Sequence, residues 1–265
     1  QNFTGIPHIS GIRGKAGQQL TIHYAEMLYP DIIPDEPVEP YTKDIYEQRR
    51  GQMYLDNYRT ALSTDHYTMR GDASGETFEP LLTYHGFRYL SIEGLDAPLP
   101  VESVQGKVLT SIGNPGSFYT TSNDKVNRLF DNIIWGQRSN FLPVPTDCPQ
   151  RDERLGWTGD AQIFCRTAAY NMNVSAFFER WFNTLRDGQS ADGLMQGFFP
   201  SLGVPPTGAA GPNDHGGLGA GGWADAMIII PWQMYLQYGN TGLLSQNYQA
   251  MKRYMTALEK RGQNY

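Results

Sequence analysis

Two hydrophobic periods run along this chain, and they change over near residue 115. In the first part, "QQLTIHYAEML" (18–28), "TDHYTMRG" (64–71), "FRYLSIEGL" (87–95) and "VQGKVLTSI" (104–112) alternate polar and apolar side chains. A period of two puts every second side chain on one face, so each run reads as a strand with one buried side. Glycine and proline clusters at 11–17, 30–40, 71–75 and 96–100 punctuate the runs. Several short strands with frequent turns predict an antiparallel β-sandwich. Residues 30–58, with Pro30, Pro34, Pro37 and Pro40, read as a long connection.

From about 120 the apolar spacing becomes helical. "SNDKVNRLFDNIIWGQRSNFL" opens on Ser122-Asn123, both good N-caps, and sets Val126, Leu129, Phe130, Ile133 and Ile134 on one face. Further helices are predicted at about 160–172, 175–187, 223–239 and 243–261. Pro231 should kink the fourth or mark its true start. Between the third and fourth helices lies a long loop, 188–222, ending in "GPNDHGGLGAGG"; loops of that length commonly carry function. Strands first and helices after predict an α+β multidomain chain: a β-sandwich over 1–103, a linker or strand over 104–118, and an all-α region over 119–265.

Composition narrows the function classes. Charged residues are 18% of the chain, aromatics 12%, and there are 29 glycines and 17 prolines. The net charge is −6 and no basic patch stands out, which argues against a nucleic-acid partner. The apolar runs are short, the longest being 226–230, so no membrane span is expected. The N-terminal "QNFTGIPHIS" has neither the charged nor the apolar region of an export signal. Cys148 and Cys165 lack metal-ligand spacing, which argues against a zinc site; they read as two buried thiols, with one disulfide between them as the alternative.

One stretch concentrates what charge there is. "PTDCPQRDERLGWTGDAQ" (145–162) holds Asp147, Asp152, Glu153 and Asp160 with Arg151, Arg154 and Trp157. Pro145, Pro149, Gly156 and Gly159 forbid a continuous helix, so it reads as a loop joining the first two helices. Two of the acids can pair with the arginines; the others then lie near like charges, which raises a carboxyl pKa and suits a general acid. Trp157 offers an apolar face to a sugar ring. From the residues alone, an ion-pair brace and a catalytic site remain open alternatives.

A wider pattern bears on the choice. "DCPQRDERLGWTGDAQ" resembles the signature of the bacterial α-L-rhamnosidases of glycoside hydrolase family 78. "YHGFRY" (84–89), "NIIWGQRSNFLPVPTDCPQRDERLGWTGDAQIF" (132–164) and "GGWADAMIIIPWQMYLQYGN" (221–240) resemble further parts of that family, and the likeness spans most of 18–260. The resemblance implies β-sandwich domains followed by an (α/α)6 barrel, of which this chain would hold an incomplete part. It implies inverting hydrolysis of terminal α-L-rhamnosides, with Glu153 as general acid. By matching motif positions it implies that Asp147, Arg151, Trp157 and Asp160 bind the sugar, with Trp223 as a further aromatic wall. Trp223 also reads as a core tryptophan at a helix start; Asp225 is the weaker candidate. Asp152 and Glu153 are adjacent and point apart, and the family pattern favours Glu153. No metal or organic cofactor is implied.

An inverting glycosidase uses two carboxyl groups about 6.5–9.5 Å apart. The resemblance places the base well downstream of the motif, and Glu179 and Glu259 read instead as solvated helix-face charges. The expectation is therefore a fragment that carries the acid but not the base, inactive by itself, with exposed apolar helix faces that favour self-association. The expected partner is a rhamnose-containing glycoside, with neither nucleic acid nor membrane, and a periplasmic or secreted location suits glycan breakdown. The alternatives are a non-catalytic carbohydrate-binding protein on the same scaffold, and a helical bundle with a structural ion-pair loop.

Overall fold

The computed structural model describes residues 1–29, 42–201, 218–219 and 221–262. The proline run at 30–40 and most of "GPNDHGGLGAGG" lie outside the described residues. The chain forms two compact units: 1–109 together with 149–152, and 110–148 together with 153–265.

The first unit is two antiparallel sheets. In one, β1 (Phe3–Ile12) pairs with β9 (Val104–Val108), with β7 (His85–Phe87) along Phe3–Gly5, and with β6 (Glu76–Phe78) at Ile9 and Ile12. In the other, β2 (Gln19–Ala25) lies between β5 (Thr64–Thr68) and β8 (Tyr89–Glu93). The period of two reappears as burial: Leu20, Ile22 and Tyr24 of β2 face Ile9 and Ile12 of β1, Met69 and Phe87 in one core. The sandwich anticipated from the alternating runs is present. Its central strand was not, because Gly5, Pro7 and Gly11 break the apolar rhythm of β1. Gly5 is required there: a Cβ would lie 2.0 Å from the Lys107 carbonyl oxygen of β9. Pro7 falls between the stretches of β1 that pair with β7 and with β6, where a missing N–H costs no ladder bond on that side.

Two carboxylates brace this unit. Glu76 is buried and accepts from the Tyr67 hydroxyl and from the backbone N–H groups of Arg70, Gly71 and Asp72. These donors, Tyr67 foremost, hold its pKa down at about 2. Asp65 accepts from the Tyr24 hydroxyl at 2.7 Å and pairs with His85 Nε2 at 3.0 Å, while the Tyr24 and His85 rings stack 3.8 Å apart. The described part of the connection after β2 is not bare loop. It carries β3 (Met27–Leu28), α1 (Lys43–Arg49) and β4 (Met53–Tyr54), the two short strands pairing with each other.

The second unit is helical: α2 (Asp124–Asn140), α3 (Thr158–Asn171), α4 (Ser175–Asp187), α5 (Ala226–Tyr238) and α6 (Thr241–Gly262). Asn123 caps α2 by accepting from the N–H groups of Lys125 and Val126. Phe178, Trp181, Phe182 and Leu185 of α4 are fully buried with Cys165 and Ala168 of α3, Met227, Ile230 and Met234 of α5, and Leu243 and Tyr254 of α6. Helix α5 begins five residues before Pro231, so the proline lies inside the helix and does not mark its start. The apolar face of α2 is also less buried than its period predicts. Ile134 is in the core, but Val126 and Leu129 are exposed, and Gln137 is buried instead, bonded to the Ala168 carbonyl and to Asn171. Apolar side chains remain exposed on α3 (Ile163), α5 (Trp232, Leu236) and α6 (Tyr248, Met255). Cys148 and Cys165 are both buried.

Candidate active site

The loop between α2 and α3 is built stepwise. Thr146 turns the chain back on the end of α2, its N–H donating to the Asn140 carbonyl at 2.9 Å and its hydroxyl meeting the Asn140 side chain at 3.1 Å. A bridge between Phe141 and Pro145 completes this turn. Asp147 follows. Its N–H donates to the Leu155 carbonyl at 3.3 Å, and its Oδ1 accepts from the Leu155 N–H at 3.2 Å. These reciprocal bonds close the loop that carries Glu153. Arg154, between Glu153 and Leu155, has φ +30°, a left-handed backbone that side chains other than glycine rarely take.

The strand-like segment after the loop is fastened at Gly156–Thr158. Gly156 O accepts from Phe199 N–H at 2.9 Å, and the Thr158 N–H and hydroxyl both donate to Gly197 O at 2.8 Å. Gly156 has to be glycine, because a Cβ would lie 2.2 Å from the Phe199 carbonyl oxygen. Helix α3 starts at Thr158, which brings Gly159 and Asp160 into its first turn rather than leaving Gly159 in the loop.

Of the six candidate residues, five belong to this unit. Asp147 and Glu153 converge: with Cys148 they each bring one potential ligand atom within 4.8 Å of the others. Three such atoms could hold a cation, one short of the four of a structural zinc site. Asp160 is near enough to feel both charges. Its carboxyl is held above the usual aspartate range, chiefly by burial and then by the negative charges of Asp147 and Glu153. Its place in the first turn of α3, where the helix dipole favours an anion, does not reverse that balance. Asp147 and Asp160 line one cleft of about 540 Å³ together with Asn140, Thr146, Phe141, Ile163 and Phe164. Trp157 meets Phe198 edge-on at 5.2 Å, and its indole Nε1 is buried without a hydrogen-bond partner among the described residues. Trp223, half-buried, lies against the first turn of α3 at Gly159.

Arg151 is in the other compact unit, with Pro149–Asp152. Its charge acts there on Glu26, a carboxyl raised chiefly by burial and lowered in part by Asn2, Asn57 and Arg151. Asp152 is exposed and bonded to the Thr60 hydroxyl, a partner unrelated to the other carboxylates. The backbone bonds of Leu155 and the place of Cys148 beside Asp147 and Glu153 were not singled out in the sequence, where Gly156 and Gly159 read only as helix breakers. The two glycines flanking Trp157 were the available signal.

Antiparallel sheets leading into stacked helices, with carboxylates converging on the loop between the first two, are the parts of a multidomain glycosidase. Residues 1–110 match the family description of the bacterial α-L-rhamnosidase concanavalin-like domain, and residues 114–265 that of the bacterial α-L-rhamnosidase 6 hairpin glycosidase domain. The chain belongs to the bacterial α-L-rhamnosidase family. It is 38% identical over 257 residues to an α-L-rhamnosidase of Formosa agariphila, covering 96% of this chain and 24% of that protein. The crystal structure of Streptomyces avermitilis α-L-rhamnosidase complexed with L-rhamnose superposes with a TM-score of 0.81 at 37% identity, covering 98% of this chain and 22% of that one. The structure of α-L-rhamnosidase from Dictyoglumus thermophilum gives 0.78 at 32% identity, over 98% and 26%. The chain thus spans about a quarter of the length of these relatives.

Proposed function

We propose that this chain carries the acid half of an inverting α-L-rhamnosidase site. The observation that carries the reading is the convergence of Asp147 and Glu153 on the α2–α3 loop, with the Asp160 carboxyl responding to both charges. Clustered carboxylates are what acid catalysis of glycoside cleavage needs. The binding of L-rhamnose by the solved Streptomyces relative supports the substrate class.

In this scheme Glu153 protonates the glycosidic oxygen as the bond to the anomeric carbon breaks. Water attacks that carbon from the opposite face, which inverts its configuration. Asp147, Asp160, Arg151 and Trp157 hold the rhamnose, and Trp223 walls the pocket. The base that activates water is assigned outside this chain, so the 265 residues alone are expected to be inactive. Glu179 accepts from Ser175 and Asn240 and braces α4 to the α5–α6 turn, which supports a structural role for it.

Glu153→Gln tests the assignment. Loss of a general acid lowers kcat/KM by about 10²–10⁴-fold. Near wild-type hydrolysis of an aryl α-L-rhamnoside by this variant of the whole enzyme would sink the assignment.

A further inference from the structure

The reciprocal bonds between Asp147 and Leu155 are a local device whose ends lie immediately beside the nominated acid. The Leu155 N–H is two residues from Glu153, and Asp147 shares a 4.8 Å cluster with it. Between Glu153 and the clasp stands Arg154 at φ +30°. A left-handed residue at that point bends the chain between Glu153 and Leu155. It therefore lets the Glu153 side chain and the Leu155 N–H converge on the same aspartate. Strained backbone of this kind persists only where the surroundings over-determine it, and it gathers at functional sites.

We propose that the Asp147–Leu155 clasp and the left-handed Arg154 are positioning elements for the general acid, holding the Glu153 carboxyl on the line of the glycosidic oxygen. The Leu155 backbone N–H does this without touching the sugar. Asp147 has a double role, one oxygen closing the loop and the carboxylate as a whole facing the cleft. The proposal rests on Glu153 being the proton donor.

The distinguishing readout is leaving-group dependence. A misplaced acid slows loss of a basic alkoxide far more than loss of an activated phenoxide, which departs without a proton. A brace that only maintains the sugar pocket affects both equally. The experiment replaces Leu155 in the whole enzyme by its α-hydroxy analogue, so that an ester oxygen stands where the N–H was and every side chain is kept. The substrates are an alkyl and a dinitrophenyl α-L-rhamnoside.

The expected result is a kcat for the alkyl rhamnoside lowered at least about tenfold more than for the dinitrophenyl one, with both KM values within about twofold of wild type. A second pair guards against misfolding of the ester. Arg154→Asn and Arg154→Val both remove the guanidinium, but only asparagine tolerates the left-handed backbone. Valine should show the leaving-group-dependent loss and asparagine should show much less of it.

A uniform loss on both substrates, a rise in KM alone, or equal behaviour of the two Arg154 variants overturns the proposal. Glu153→Gln is run in parallel. If it shows the leaving-group signature and the Leu155 ester does not, the clasp is wrong and the acid assignment stands. If Glu153→Gln itself shows none, both fall.

Discussion

The indole of Trp223 occupies the space in which residue 159 would carry a side chain: a Cβ on Gly159 would fall 2.7 Å from Trp223 Nε1 and 2.8 Å from Cδ1. Gly159 is in the first turn of α3, next to Asp160. On an open helix, glycine to alanine gains about 1 kcal/mol. Here overpacking opposes that gain and is expected to win, costing about 1–3 kcal/mol. Gly159→Ala should therefore destabilise the protein, yet stabilise it in a Trp223→Ala background. Denaturation midpoints of the four proteins of this cycle measure the coupling; the same effect of Gly159→Ala in both backgrounds would contradict the contact.

Glu76 makes the β unit acid-sensitive. Its folded pKa, about 2, is below the ordinary value of 4.5, so it binds protons more weakly folded than unfolded. Its contribution is present above about pH 4.5 and is lost as the pH falls toward about 2. Glu76→Gln should lower stability at pH 6 and flatten the decline between pH 4.5 and pH 2. Chemical denaturation across that range tests it, and parallel curves for the two proteins would refute it.

Asp160 acts with the opposite sign. Its raised carboxyl favours the folded state below the ordinary aspartate value of 3.8, and that contribution is lost as the pH rises through the raised folded value. Asp160→Asn removes a charge crowded by the negative charges of Asp147 and Glu153 and is expected to raise the melting temperature at neutral pH. The same change should weaken binding of L-rhamnose about 10–100-fold, the worth of a hydrogen bond to a charged group. Asp147→Asn removes one of the neighbouring negative charges and should move the pH midpoint of rhamnose binding downward. Calorimetric titration at several pH values reads both effects; a midpoint that moves upward would contradict the carboxylate coupling.

Gly156 and Gly136 should behave in opposite ways under the same exchange. Alanine at 156 would drive its Cβ to 2.2 Å from the Phe199 oxygen, a backbone atom that accepts from Trp181 Nε1 at 3.3 Å. It should cost about 1–3 kcal/mol and disturb Trp157, whose ring rests on Phe198. Alanine at 136, in α2, meets nothing within 4 Å among the described residues and should stabilise by up to about 1 kcal/mol. Thermal unfolding of the two variants, with tryptophan emission as a second readout, checks the contrast.

What the sequence disclosed follows from how local each signal is. The helices α2 to α6 are visible because a 3.6-residue period repeats over several turns, as with Leu244, Tyr248, Met251, Met255 and Leu258 in α6, although the face the core takes is Leu243, Ala250, Met251, Tyr254 and Ala257, with Tyr248 and Met255 exposed. The strands β2, β5, β8 and β9 are visible because they alternate. Strand β1 was not legible, because Gly5 answers to the Lys107 backbone, about 100 residues away in the chain, and not to any local rule. Helix α1 has no buried residue, so no apolar period marks it. At the site, the side chains were nominated from motif likeness. The bonds that arrange them were not, because the Leu155 N–H, the Gly156 carbonyl and the Arg154 torsion are backbone features without a letter in the sequence.

The segment Pro149–Asp152 belongs with the β unit, where a Cβ on Gly86 would touch Gln150 at 2.9 Å. That unit is therefore discontinuous along the chain, although the family descriptions change over between residues 110 and 114. Recombination that exchanged the β part between relatives at that junction would leave four of its residues behind, Arg151 among them. The candidate sugar contact at Arg151 is thus inherited structurally with the sheets and genetically with the helices, and hybrid rhamnosidases joined at the changeover would have to match at Gly86 and Gln150 to fold.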